Sequence, residues 1–165
     1  GVVGLGLLAT ALCSGVYHWH PMDASLCIDR LGMSVAFAGV LSLAVSDRIG
    51  ARAGMHLVWP LLLAAVGAAL WAWRMGNMTP WAVVQGFGLL LLLAMSWRQP
   101  QPGALGVHWV WVVVAYGLAK ALEVGDAQLF ALSHGWVSGH SLKHVAAALA
   151  VLHIGLALRR HLCAD

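Results

Sequence analysis

Apolar runs close to the length of a bilayer-crossing helix recur along this chain, and each is closed by charge, proline or a polar cluster. The hydrocarbon core of a membrane takes roughly 20 mostly apolar residues in a helix. Backbone polar groups at that depth must be satisfied by a helix or a closed barrel. Strand-type alternation is absent, which argues against a barrel. The runs read as six spans: residues 1–18, 29–46, 55–73, 79–97, 104–123 and 138–158. The first closes at Tyr17-His18-Trp19-His20-Pro21, the second at Asp47-Arg48, the third at Arg74 and the last at Arg159-Arg160. Pro80 suits a first helical turn, while Pro100 and Pro102 separate the fourth span from the fifth. Connections are short except for 124–137. The expected architecture is an all-α, polytopic transmembrane bundle, with residues 1–165 as one transmembrane domain.

Composition points the same way. Hydrophobic residues make up 61% of the chain and charged residues 9%, where a soluble domain carries about 25% charge. Nine Trp and several Gly-rich runs fit interfacial anchoring and close helix packing. The formal charge of +3 reflects loop arginines, and no basic patch interleaved with aromatics is present. The bilayer is therefore an expected partner and nucleic acid is not. Cys13, Cys27 and Cys163 lack the CxxC spacing of a zinc ribbon and read as small buried hydrophobes, with a Cys13–Cys27 disulfide as the alternative. The chain opens without Met inside an apolar run, with no basic stretch before it, so residues upstream are expected rather than a signal peptide.

Short connections make consecutive helices alternate in direction. Residues 19–28 define one side, A; the loops 47–54 and 98–103 and the C-terminus lie on the other, B. Side B holds Arg48, Arg52, Arg98, Arg159 and Arg160, whereas Arg30, Arg74, Lys120 and Lys143 on side A sit mostly at helix ends or inside helices. Lys and Arg in short loops mark the cytoplasmic face, so side B is expected there.

The polar residues of side A raise the functional question. Polar groups in hydrocarbon are costly and usually mark function. His140 and His144 lie one turn apart near the start of the last span, in HSLKH. Ser14 and His18 lie one turn apart near the end of the first, in SGVYH, and Asp29 opens the second. Alternation places all five at similar membrane depth. Three neutral imidazoles suit zinc, and a catalytic zinc keeps one position for water, whose pKa falls to about 7. Asp29 then suits a general base, and Ser14 a group that orients the water or donates to an oxyanion. Each residue also has a plainer role. The His pair suits packed, hydrogen-bonded histidines, Ser14 a small helix-packing residue, and Asp29 an N-cap or a partner for Arg30. The remaining polar residues of side A, His20, Asp23, Asp126, Gln128 and His134, read as solvated loop positions, and Lys143 as a side chain that snorkels to the interface or pairs with Glu123 or Asp126. His153 lies too far along its helix to join the site.

SGVYH at 14–18, Asp29 eleven residues beyond that His, and HSLKH at 140–144 together resemble the CREST superfamily of membrane hydrolases. The spacing from His18 to Asp29 is most similar to the alkaline ceramidases. The resemblance covers the chain in outline through helix order, and rests on five positions. It implies a seven-helix core, so the first family helix is expected upstream or absent. It implies a zinc ion held by His18, His140 and His144, with Ser14 and Asp29 as catalytic groups. It also implies hydrolysis of the amide bond of a ceramide-like membrane lipid. No acidic N-terminal stretch of the calcium-binding kind is present. An ester-cleaving lipid remodelling hydrolase, a receptor-like protein with a structural zinc, and a haem-binding electron carrier are the alternatives. The compact loops fit a bacterial inner membrane, with the site on the non-cytoplasmic side.

Overall fold

The computed structural model describes residues 1–163. Every regular element among them is helical: α1 (Val2–Trp19), α2 (Asp23–Arg48), α3 (Ala51–Met75), α4 (Thr79–Ser96), α5 (Trp109–Val124), α6 (Asp126–Leu132) and α7 (Gly139–Leu162). Five of these, α1, α2, α3, α4 and α7, are long and apolar enough to cross a membrane. The protein is thus a polytopic helical membrane protein.

The six expected spans become five because the fifth is shorter than its apolar run. Gly103 and Gly106 adopt left-handed backbone (φ 73° and 63°), which unwinds the chain before Trp109. The 16 residues of α5 rise only about 24 Å. The long connection is not structureless either: Asp126–Leu132 forms α6. Hydropathy alone registers neither boundary, since residues 104–108 are as apolar as a helix would be.

The helices fall into two compact units, Gly1–Leu91 and the chain from Leu92 onward. In the first, α2 packs against α1 on one side and α3 on the other. Small residues bring the backbones close, the usual device where hydrocarbon supplies no hydrophobic drive between helices. A Cβ added at Gly6 would collide with the backbone of Ala36. One at Gly32 would lie 2.7 Å from the Ala9 carbonyl oxygen and 2.8 Å from Cys13 Cβ, and one at Gly39 3.0 Å from Val3 N. These contacts set an antiparallel register in which residue 39 meets 3, 36 meets 6 and 32 lies between 9 and 13. Gly54 of α3 approaches Ser42 and Ser46 of α2 in the same way. Ala65, Ala68 and Ala69 of α3 pack with Trp81 of α4, and Leu31, Met33, Phe37 and Val84 close around them. Leu5, Leu8, Leu12 and Val16 of α1 remain exposed along one face, as a lipid-facing surface requires.

Substituting Gly6 by Leu is expected to destabilise this unit by about 1–3 kcal/mol, because Ala36 backbone has no rotamer with which to yield. Gly4, with open space around its Cβ direction, is the control. Thermal melts of the two detergent-purified variants check this: equal midpoints would show that α1 and α2 are not in this register.

In the second unit α5 and α7 pack on one another, with α6 against both. The buried positions of α7, Gly139, Lys143, Ala146, Ile154 and Ala157, form a stripe at helical spacing. Val112, Ala115 and Ala119 do the same on α5.

Candidate metal centre

Ser14, His18 and Asp29 belong to the first unit. The α1–α2 register, continued one turn from Gly32, sets Asp29 level with Ser14. Both are buried, at 1% and 8% exposure. His18 lies in the last turn of α1 and is exposed, its ring edge-on to Tyr17 at 5.6 Å.

Asp29 does not cap α2. That helix begins at Asp23, and its first turn is closed by Ser25: the Met22 N–H donates to Ser25 Oγ at 2.9 Å, and Ser25 Oγ donates to the Met22 carbonyl at 2.8 Å and to that of His20. Asp29 therefore sits nearly two turns inside the helix, where no orphan amide awaits it. Neither does Arg30 pair with it: both carboxylate oxygens lack a hydrogen-bond partner among the described residues. A buried carboxylate in that condition is costly to folding, and such groups cluster at functional sites.

His140 and His144 belong to the second unit. Their rings meet edge-on, centroids 5.2 Å apart, on one face of α7. The start of α7 is held at three points. Ser138 caps it, its Oγ accepting the Ser141 N–H at 3.0 Å. The His140 N–H donates to Asp126 Oδ1 at 2.9 Å. Lys143 Nζ donates to Glu123 Oε1 at 2.9 Å, and Lys120 holds the other oxygen of the same carboxylate. Gly139 makes this possible, since a Cβ there would strike the Leu122 carbonyl and the Asp126 backbone.

One expectation changes here. Asp126 is not a solvated loop residue; it opens α6 and binds the first turn of α7. Lys143, buried at 7% exposure, takes Glu123, one of its two expected partners. Asp126 precedes His140 by fourteen residues, across α6 and the turn that follows it, and no periodicity links the two. His153 has a structural role: its Nδ1 lies 2.8 Å from the Leu149 carbonyl, and its ring stacks on Trp111. The cysteines are all free. Cys27 is buried, Cys13 partly so, and Cys163 is exposed, unlike the small buried hydrophobe expected.

Chemically, the first unit offers an imidazole, a hydroxyl and an unpartnered carboxylate. The second offers two imidazoles on one helical face, the spacing that lets two side chains bind one ion. Three imidazoles are a donor set able to hold a divalent metal. No family model, curated protein or solved structure matches the chain.

Proposed function

We propose that the protein is a zinc-dependent hydrolase embedded in the membrane, cleaving the amide bond of a ceramide-like lipid. His18, His140 and His144 are the ligands in this reading, and Ser14 and Asp29 serve the reaction. The observation that carries it is the Asp29 carboxylate, buried at 1% exposure with both oxygens unpartnered. The helix makes no hydrogen bond with that carboxyl group among the described residues. The adjoining imidazoles of His140 and His144 support the metal part.

Zinc in such a donor set supplies a Lewis acid and a water acidic near neutrality. The remaining chemistry belongs to the chain. Asp29 takes a proton on a carboxylate oxygen as water attacks the amide carbonyl, then returns it to the departing amine. The Ser14 hydroxyl, level with Asp29, orients the water or donates to the developing oxyanion. The scarcity of water around a buried Asp29 strengthens both interactions. Apolar helix faces accommodate the acyl chain. The arginines of side B favour an orientation with the site on the non-cytoplasmic side, in a bacterial inner membrane.

Metal analysis of the detergent-purified wild type beside His18→Ala is the test. We expect about one zinc per wild-type chain, as a three-histidine site demands, and its loss in the variant. A wild type free of zinc after chelator-free purification would sink the proposal. Given zinc, a screen of lipid amides and lipid esters distinguishes a ceramidase-like amidase from an ester-cleaving remodeller.

A further inference from the structure

We infer that Asp126 and Glu123 are positioning residues, a pair of carboxylates that sets the height and rotation of α7 and thereby presents His140 and His144. The inference rests on the zinc reading of those two histidines.

The two carboxylates are three residues apart, Glu123 near the end of α5 and Asp126 at the start of α6, with Gly125 between them. They grip α7 by different means. Asp126 Oδ1 takes the backbone N–H of His140 itself, an amide of the first turn that has no partner within the helix. That bond sets the axial height of the first histidine. Glu123 Oε1 takes the buried side chain of Lys143, and this bond sets rotation. At about 100° per residue, Lys143 points about 60° from His140 and about 100° from His144 around the helix axis. Tying Lys143 to α5 therefore turns the histidine edge away from α5 by a fixed angle. Gly139, flush against Leu122 and Asp126, lets α7 come close enough for the grip to form. Ser138 satisfies the next amide.

Lys120 completes the arrangement by holding the second oxygen of Glu123. The carboxylate is thus fixed from both sides, and its bond to Lys143 is directional. Partners that orient metal-binding histidines typically alter metal affinity 10–100-fold when removed.

Cobalt titration of the full chain in detergent, after zinc removal, reads both affinity and ligand geometry through the visible absorption of the bound ion. Wild type is compared with Asp126→Ala, Asp126→Asn and Glu123→Gln. Amide hydrogen exchange is followed at residues 140–144, with the amides around Ile154 as the internal control for folding. We expect Asp126→Ala and Glu123→Gln to weaken cobalt binding roughly 10–100-fold and to shift the absorption band. Exchange should quicken in the first turn of α7 and stay unchanged near Ile154. Asp126→Asn, which keeps the one acceptor oxygen that the His140 N–H uses, should restore affinity and spectrum, whereas Glu123→Gln loses the charge and one of the two acceptors that hold Lys120 and Lys143. Wild-type affinity and band in both Asp126→Ala and Glu123→Gln would overturn the positioning role while leaving the zinc reading intact. A wild type that binds no cobalt would overturn the zinc reading and this inference with it.

Discussion

Under the proposed zinc hydrolase function, replacing either His140 or His144 by alanine is expected to abolish zinc binding and lipid hydrolysis together. The two rings supply adjacent donors on one helix face, and a three-ligand site that loses one imidazole retains too few ligands to hold the ion against buffer. The loss should exceed the roughly 10–100-fold associated with removing a ligand's hydrogen-bond partner. The fold should survive. Both residues are only partly buried, alanine is the strongest helix former, and the bond to the Asp126 carboxylate is donated by the His140 backbone N–H, which the substitution keeps. Zinc stoichiometry, activity and thermal melting measured on the same preparations separate the cases. Full zinc in either variant would exclude the ligand role. Loss of zinc together with an early, broad melt would indicate a packing role.

Asp29→Asn is expected to have the opposite signature: zinc retained, activity lowered about 10²–10⁴-fold, the usual contribution of a general base, and the melting temperature raised. The last part follows from burial. Both oxygens of Asp29 lie without a partner among the described residues, so the charged form is a folding liability that the amide removes. Active-site groups commonly oppose stability in this way. A residue that capped α2 or paired with Arg30 would behave otherwise, and its substitution would lower the melting temperature. Turnover at the wild-type rate in Asp29→Asn would reject the general-base role whatever the melt shows.

Ser14 is expected to contribute less, since a hydroxyl that orients water can be replaced in part by a second water. Its burial beside the small-residue interface of α1 and α2 also means that Ser14→Ala, unlike a larger side chain, should preserve the packing.

Much of the candidate site was legible before the fold. HSLKH and SGVYH are local patterns, and the helical repeat puts their polar residues on common faces without reference to any other element. Asp29 was legible as a polar residue in an apolar run, but its character was not. Its place as the first residue of a span suggested a cap, because the apolar count began there. The helix begins six residues earlier, with Ser25 supplying the local hydrogen bonds, and this turns Asp29 from a terminal residue into a buried one.

The helical membrane class was set by the sequence alone. Hydrocarbon satisfies no backbone group, so a chain with repeated runs of that length and little charge has few structures open to it. The number of crossing helices was not set in this way, because left-handed glycines before Trp109 shorten α5 without altering hydropathy. The partners of His140 and Lys143 were decided only in three dimensions. Asp126 and Glu123 reach α7 because α5, a one-residue glycine break and α6 fold back against its first turn. Contacts between elements depend on how a loop turns, and loop direction has no periodic trace in the residues that form it.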